Sequence, residues 1–348
     1  MQRSTRFSRG PWAAVIAAAA LLGCADEAVD DLESTATAQA PIEDGVNDDD
    51  HLGVVRVVRP RSLDVPGDKG GQCSGVVVAP NLVLTARHCV SALKPAKSLC
   101  DGTTFHPTQT LTVEIVGLSD ALDSLSVPAQ NVAVPGEGDE LCGHDVALLR
   151  VPTLVRALRK RGVPIYEPRF ESNVRRSESY RAVGLGAYNA KGFGVGTRRE
   201  RDGLSVDCAG RSCRSEGVGE REWRGSDAIC SGDSGGPALD ADGRLIGIVS
   251  RSNSSDCSKP VYASVYAWRG WLRDEALASA RLDGLAPPTW ATTTFAEPAS
   301  AEGEAFGDEG ELGGGCAAGA APPGRGAWAL AALVMTAALA RRRRVTAR

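Results

Sequence analysis

Short apolar runs separated by turn residues dominate the chain between residues 42 and 281. The runs are four to seven residues long, rich in β-branched side chains and bounded by Gly, Pro, Asn or Asp, as at 52–58, 75–78, 146–149 and 245–249. Such runs are typical of strands in an all-β fold rather than of a parallel sheet with helices. At 266–281, by contrast, large apolar residues recur at spacings of three and four. This spacing predicts one amphipathic helix near the end of a β-rich domain.

Composition and charge exclude two classes of protein. With 43% hydrophobic and 24% charged residues the chain can form a packed core, which excludes disorder over most of its length. Lys and Arg total 39 against 43 Asp and Glu, a net charge of −4, so we expect no nucleic-acid partner. The ten cysteines are typical of an exported chain in an oxidising compartment.

The beginning of the chain has the organisation of an export signal. Three arginines within the first nine residues precede an apolar stretch too short to span a bilayer, and this stretch ends at Leu21-Leu22-Gly23-Cys24. Those four residues resemble a bacterial lipobox, in which the cysteine is lipidated. We therefore predict a signal peptide at 1–23 and a lipidated N-terminus or propeptide at 24–41. An ordinary secretory signal is the alternative.

The last part of the chain predicts a second attachment segment. Residues 282–315 are rich in Ala, Gly, Pro, Thr and acidic residues, a composition typical of a disordered stalk. Cys316 follows three glycines, and an apolar run at 327–340 is followed by four arginines. The segment 316–348 thereby resembles the C-terminal sorting tags of myxobacterial surface proteins, with a plain tail anchor as the alternative. Either interpretation predicts a membrane partner, at the outer membrane or cell surface of a Gram-negative bacterium.

Three segments within 42–281 contain the residue types of an acyl-transfer site. The loop 230–237 reads Cys-Ser-Gly-Asp-Ser-Gly-Gly-Pro, where glycines around Ser234 let backbone amides approach a ligand. His88 follows an apolar strand pattern, and Asp145 directly precedes another. A serine nucleophile needs a base and a buried carboxylate that orients the base. We therefore predict His88, Asp145 and Ser234 as catalytic residues.

In the order His88, Asp145, Ser234, these segments resemble the chymotrypsin/trypsin family of serine endopeptidases. Subtilisins and α/β-hydrolases have the same residue types in other orders. The resemblance covers about 42–272. It implies a protease domain at 42–281 with an all-β fold of two six-stranded antiparallel β-barrels, about 42–155 and 156–275, and a C-terminal helix.

The resemblance also implies a role for each site residue. Ser234 attacks the scissile carbonyl, His88 accepts and later returns its proton, and Asp145 orients the imidazole. The amides of Gly232 and Ser234 form the oxyanion hole. The implied substrates are proteins or peptides, no cofactor is needed, and activity should rise with pH as His88 loses its proton. We expect a monomer, and a catalytically silent surface protein used for binding or adhesion is the alternative function.

The remaining histidines, His51, His106 and His144, are interpreted as non-catalytic. His144 adjoins Asp145, and neighbouring residues on an extended chain point to opposite faces, so only one of the two can face the site. The acidic run that ends at His51 is interpreted as a solvated turn. No metal site is predicted.

Eight cysteines remain for disulfides once Cys24 and Cys316 are set aside for lipidation or sorting. The resemblance implies one bridge beside the histidine and one beside the specificity pocket, Cys73–Cys89 and Cys230–Cys257. The other four cysteines divide most simply into Cys100–Cys142 and Cys208–Cys213. Sequence alone does not determine this connectivity.

The chain departs from the family pattern at the specificity pocket. Ala228 stands at the base of the pocket, where trypsin-like enzymes have an Asp, and Ser250 and Ser252 lie along its wall. We therefore predict cleavage after small or medium apolar residues.

The activation site departs from the family pattern as well. In the family a newly formed Ile or Val N-terminus pairs with the Asp before the catalytic serine, and here this pair is Ile42 with Asp233. Pro41 precedes Ile42, so a trypsin-type activator is unsuitable.

Overall fold

The structure is a computed structural model. It describes residues 45–108, 111–115, 125–186, 196–213, 217–226, 229, 232–252 and 258–294. The predicted signal peptide, propeptide and sorting tag lie outside the described residues, with Cys24, Ile42 and Cys316. Ala228 and the predicted Cys230–Cys257 bridge also lie outside them. Within the described part of the chain, none of the helices has the length and apolar character needed to cross a membrane.

The described residues form sixteen strands and four helices. The strands are β1 (Val46–Asn47), β2 (Val54–Arg59), β3 (Gly71–Ala79), β4 (Leu82–Thr85), β5 (Leu93–Lys94), β6 (Thr104–Phe105), β7 (Thr112–Ile115), β8 (Leu125–Pro128), β9 (Asn131–Ala133), β10 (Ala147–Arg150), β11 (Ser179–Gly184), β12 (Arg199–Ala209), β13 (Glu222–Gly225), β14 (Pro237–Leu239), β15 (Leu245–Ser252) and β16 (Pro260–Ser264). The helices are α1 (Leu141–His144), α2 (Leu154–Arg161), α3 (Arg269–Leu282) and α4 (Thr289–Thr292).

The first half of the domain is a curled antiparallel sheet. Its seven strands follow the order β8-β7-β2-β3-β4-β10-β9, and β5 pairs with β6 separately. In β2 buried and half-buried positions alternate over most of its length, whereas β3 is buried continuously from Cys73 to Ala79. Continuous burial is expected of a central strand covered on both faces. Among the described residues no pairing closes this sheet, so it is a half-barrel.

The second half is a closed barrel. Strands β12, β11, β14, β15, β16 and β13 follow one another, and a further pairing between β12 and β13 closes the ring of six. The predicted all-β architecture of two barrel-like sheets is confirmed. One assignment within it is wrong, because β1 was expected in the first barrel and instead pairs with β12 of the second. β12 pairs with β13 only through 206–209, which leaves its Arg199–Glu200 end open to β1.

Two apolar clusters form the interior. The larger contains residues of both halves, from Val54 on β2 to Ile248 on β15. The smaller lies within the second barrel, where the rings of Trp223 and Tyr262 stack with centroids 4.0 Å apart. Complete burial raises the pKa of Tyr262 well above its usual value. Since one cluster is shared, the two halves are packed as a single folded unit.

The predicted C-terminal helix is present as α3. Its buried positions, among them Leu272, Ala276 and Ala280, recur every four residues and pack against the shared core. The side-chain amide of Asn81 donates to the Ser279 carbonyl oxygen at 3.2 Å. This contact ties the helix to the turn between β3 and β4.

Part of the predicted stalk is folded. Residues 283–294 continue past α3 into α4, where Trp290 is 4% exposed and its indole nitrogen donates to the Val78 carbonyl oxygen at 2.8 Å. Its ring also packs edge-on against Phe170, with centroids 5.5 Å apart. Residues 283–294 are therefore not part of a disordered stalk as predicted, because Trp290 and Ala291 are buried in the shared core.

Three disulfides occur among the described residues. They join Cys73 to Cys89, Cys100 to Cys142 and Cys208 to Cys213, the pairs named above. The first ties β3 to the turn after β4, and the second reaches the segment just before Asp145.

Candidate active site

His88 lies on a single 3₁₀ turn, Arg87–Cys89, at the end of β4. All four residues of β4 are buried, and the chain leaves the strand through Ala86 in an extended conformation. Cys89 in the same turn is bonded to Cys73 on β3. The disulfide fixes the turn against the sheet, while the imidazole remains 21% exposed.

Asp145 lies between α1 and β10 and is completely buried. The backbone turns into this position through Gly143, whose φ of +92° lies in the left-handed region that favours glycine. The backbone amide of His88 donates to Asp145 Oδ1 at 2.8 Å. His88 Nδ1 and the Ser250 hydroxyl lie 2.8 and 2.6 Å from Asp145 Oδ2. The carboxylate therefore fixes the orientation of the imidazole.

These contacts determine the charge of the Asp145 carboxylate. Burial by itself raises the pKa of Asp145, but the nearby His88 and the hydrogen bonds from His88 and Ser250 outweigh it and lower the pKa below its usual value. Asp145 is thus ionised at neutral pH. A buried anion in this position stabilises an imidazolium at His88.

Ser234 lies in a tight loop between residue 232 and β14. Gly235 has a φ of +81°, and a Cβ there would lie 2.2 Å from the Ser74 carbonyl oxygen. The Ser74 amide donates to the Ser234 carbonyl oxygen at 2.8 Å, and the Ser74 hydroxyl donates to the Gly232 carbonyl oxygen at 2.9 Å. Only glycine fits at 235, and β3 of the first half holds the serine loop of the second.

The serine loop and the histidine turn meet at one sulfur atom. Cys89 Sγ lies 3.6 Å from the Ser234 carbonyl oxygen and 3.8 Å from His88 Nε2. The Ser234 backbone and the imidazole nitrogen that faces away from Asp145 therefore both lie near this sulfur. Among the described residues, the Ser234 hydroxyl makes no hydrogen bond to His88.

Gly232 has the geometry expected of an oxyanion loop. Its φ is +92°, and a Cβ on it would lie 2.7 Å from Gly186 Cα. Within the described part of the chain, the amides of Gly232 and Ser234 donate to no acceptor. Two such amides near a nucleophile can stabilise a developing negative charge.

Asp233, the predicted acceptor of a new N-terminus, is 1% exposed. Its Oδ1 accepts the Gly186 amide at 3.0 Å. A Cβ at Gly184 would lie 2.2 Å from the same oxygen, so the chain there must be glycine. The predicted partner Ile42 is outside the described residues.

The predicted pocket wall is described only at Ser250 and Ser252 on β15. Ser252 pairs with Pro260 at the end of the strand. Ser250 is assigned to this wall, and its hydroxyl donates to Asp145 Oδ2. Between them, Arg251 forms a buried ion pair with Glu222 that the sequence analysis missed. The sequence offered no signal for this pair, because the two residues lie on strands that are not neighbours in the sheet.

The other histidines lie away from this geometry. His144 packs edge-on against Trp268, with ring centroids 5.8 Å apart. His51 Nδ1 lies 3.0 Å from Asp48 Oδ1 and 3.5 Å from Glu200 Oε2. Arg181 Nη1 lies 3.3 Å from that same Glu200 oxygen, so a guanidinium already supplies positive charge to the cluster.

Comparison with known proteins identifies relatives of this chain. The family model described as Trypsin matches residues 61–272, more than half of the chain. The chain is 27% identical to a trypsin of Phaedon cochleariae over 226 residues, 58% of this chain and 78% of that protein. It is 28% identical to granzyme M of Rattus norvegicus over 235 residues, 62% of this chain and 83% of that protein.

A solved structure has the same fold. The structure of GrC superposes with a TM-score of 0.52 at 21% identity, over 67% of this chain and 98% of GrC.

Proposed function

Because the chain belongs to the trypsin family, we propose that it is a serine endopeptidase that hydrolyses peptide bonds through an acyl-enzyme. The observation that carries the proposal is the contact of 2.8 Å between His88 Nδ1 and the buried Asp145 carboxylate. Such a buried pair orients a general base for a serine.

The proposed reaction assigns each proton to a group. His88 Nε2 accepts the proton of the Ser234 hydroxyl while Oγ forms a bond to the scissile carbonyl carbon. His88 then donates this proton to the leaving amine, and the C–N bond breaks. Water attacks the acyl-enzyme in the same way, with His88 as base, and releases the new carboxylate and free Ser234. Asp145 stays ionised throughout and stabilises the imidazolium.

We propose that the amides of Gly232 and Ser234 bind the oxyanion. Their lack of acceptors among the described residues supports this role. One oxyanion donor is worth about 3 kcal/mol in the transition state.

We propose that the substrates have a small or medium apolar residue before the scissile bond. The argument is the neutral Ala228 at the predicted base of the pocket, which gives a substrate Lys or Arg no charge partner at that position. Hydrolysis of a set of peptide amides that differ only in this residue tests it. We expect Ala, Val or Leu to be preferred, and fastest cleavage after Arg or Lys would refute it.

A further proposal concerns how the chain is exported and attached to a membrane. We propose a chain exported to the bacterial surface, lipidated at Cys24, sorted through Cys316 and activated by cleavage before Ile42. Such a cleavage separates Cys24 from the protease domain, so the Cys316 end alone retains the active enzyme. N-terminal sequencing of the active form tests this, since an active enzyme still joined to lipidated Cys24 would contradict it.

Labelling with a fluorophosphonate tests the catalytic role of Ser234. We expect wild type to form one adduct at Ser234, and Ser234→Ala to form none. A matched control is Ser226→Ala, which removes a nearby hydroxyl that accepts the Ser205 amide, and it should label as wild type does. A folded wild type that is cleaved before Ile42 and still not labelled would instead support the silent binding protein. An enzyme that turns over esters but not amides would be an esterase.

A further inference from the structure

A buried ion pair lies next to the Asp145 site in the second barrel. Arg251 Nη1 and Nη2 donate to Glu222 Oε1 and Oε2 at 2.7 and 2.6 Å, the two-pronged geometry that arginine favours. The two side chains are 7% and 0% exposed. Removing two charges from water costs free energy that their attraction only partly returns, so the pair is a weak source of stability. The other hydrogen bonds of Glu222 and Arg251 reach the residues on either side of Asp145 and indicate a role in positioning it.

Glu222 holds the segment that leads to Asp145. Its Oε1 accepts the Gly143 amide at 2.7 Å, and its Oε2 accepts the Gly219 amide at 2.6 Å. Gly143 stands two residues before Asp145 and has a positive φ. A Cβ at Gly219 would lie 2.9 Å from the Gly143 nitrogen, so the two backbones are in close contact. The carboxylate therefore fixes a strained turn of the first half from within the second.

Arg251 holds the other side of Asp145. Its Nη1 donates to Ser250 Oγ at 3.0 Å, and Ser250 Oγ donates to Asp145 Oδ2 at 2.6 Å. A guanidinium has no acceptor, so Ser250 must accept from Arg251 and direct its own hydrogen to Asp145. The Arg251 guanidinium thus donates to the Ser250 hydroxyl, which in turn donates to the buried Asp145 carboxylate.

We propose that Arg251 and Glu222 are positioning residues that set the geometry of the Asp145–His88 pair. Glu222 fixes the backbone before Asp145, and Arg251 fixes the hydroxyl that bonds its carboxylate. Neither residue contacts the reacting atoms. The proposal rests on the proposed function for its effect on rate, whereas its effect on the Asp145–His88 hydrogen bond can be measured without activity.

The charges around the pair determine which variants are informative. Arg87 interacts electrostatically with Asp145 and with Asp139. Arg251 is linked to Asp145 by the Ser250 hydroxyl, and Glu222 neutralises the charge of Arg251. Replacing Arg251 by Met and Glu222 by Gln removes the ion pair and one of the two acceptors for the Gly143 and Gly219 amides, without changing the net charge. Arg251→Met alone would leave the buried Glu222 carboxylate without its countercharge and strongly destabilise the fold, so a change in rate could not be assigned to positioning.

The test compares the double variant Arg251→Met/Glu222→Gln with a matched pair elsewhere. Arg59 and Asp68 also form a two-pronged ion pair, with side chains 8% and 7% exposed, and Asp68 also accepts two backbone amides. We expect the rate constant for fluorophosphonate labelling of Ser234 to fall about 10²-fold in the first double variant. Arg59→Met/Asp68→Asn should keep the wild-type rate.

Arg251→Lys provides a variant that keeps the charge. Lysine is a single point donor that cannot bond both Glu222 oxygens in the arginine geometry, so we expect an intermediate rate. This variant tests the proposal even if the double variant does not fold, because a wild-type labelling rate in Arg251→Lys would contradict it.

Proton NMR of the His88 ring measures the positioning independently of catalysis. We expect a low-field Nδ1 proton in wild type, absent from His88→Gln, and shifted or lost by faster exchange in the Arg251/Glu222 double variant. An unchanged resonance together with an unchanged labelling rate would overturn the proposal, whatever happens to the melting temperature. A wild type that is not labelled but shows the expected change in resonance would refute the proposed function and leave the positioning role supported.

Discussion

Asp145 is a fully buried carboxylate that makes three hydrogen bonds. Its side chain is 0% exposed, and its two oxygens contact the His88 amide, His88 Nδ1 and the Ser250 hydroxyl. The sequence located this residue by its place before an apolar strand. The sequence did not indicate that Ser250 contacts Asp145, because the two residues are 105 positions apart along the chain.

Replacing Asp145 by Asn should preserve the fold but impair the base. The amide is nearly the same size, yet it cannot hold the imidazole in the same tautomer or stabilise its charged form. We expect a rate of fluorophosphonate labelling about 10⁴-fold below wild type. Asp207→Asn, at a partly exposed carboxylate near Arg224, is the control and should label normally. A decrease of less than about tenfold would show that Asp145 does not serve the base.

Asp68 provides a test of stability against pH. Hydrogen bonds from Arg59 and from backbone amides lower the pKa of Asp68 to about 2, against a usual value of 3.8. A lowered carboxyl pKa stabilises the fold above pH 3.8, and this stabilisation is lost as pH falls towards 2. Asp68→Asn should therefore lower the free energy of unfolding by about 2 kcal/mol at neutral pH.

Urea unfolding at several pH values measures this difference between wild type and Asp68→Asn. The difference should shrink steadily as the pH is lowered below 4. Asp64→Asn, at an exposed carboxylate in the same loop, should change stability by less than about 0.5 kcal/mol. A difference that is independent of pH would contradict the assigned pKa of Asp68.

Among the elements, apolar runs located several strands but missed β12 (Arg199–Ala209), the longest described strand, because its sequence is mostly charged and polar. The runs at 52–58, 75–78 and 245–249 correspond to β2, β3 and β15, and the helix expected at 266–281 is α3. The four-residue α4 was missed because its Pro, Thr and Ala neighbours have the composition of a linker. Only the adjacent Trp290 and Ala291 of this helix lie in the core, and two neighbouring residues form no periodic pattern.

Trp290→Ala should strongly destabilise the domain. It removes a large buried side chain and leaves the Val78 carbonyl oxygen without its donor, so we expect a loss of about 3–5 kcal/mol in the free energy of unfolding. Chemical denaturation measures it. Leu282→Ala is the control, because that side chain is 71% exposed and should contribute less than about 0.5 kcal/mol. Equal effects of the two variants would contradict the docking of α4.

At the scale of the whole molecule, the site is assembled from both halves. His88 and Asp145 belong to the first sheet and Ser234 and Ser250 to the second barrel, and Ser74 on β3 bonds the serine loop. The motifs were sufficient to predict this fold, since their order along the chain is specific. Long-range polar contacts such as Arg251 with Glu222 have no local signal, because strand β16 separates their strands in the sheet.

The proposed activity is the hydrolysis of peptide bonds by Ser234, with His88 and Asp145. The most direct measurement is kcat/KM for a peptide amide with a small apolar residue before the scissile bond, in wild type and in Ser234→Ala. We predict measurable hydrolysis by wild type and a loss of about 10⁶-fold in the variant, with both proteins equally folded. Hydrolysis that persists in Ser234→Ala, or a folded and mature wild type that cleaves no peptide amide, would contradict the claim.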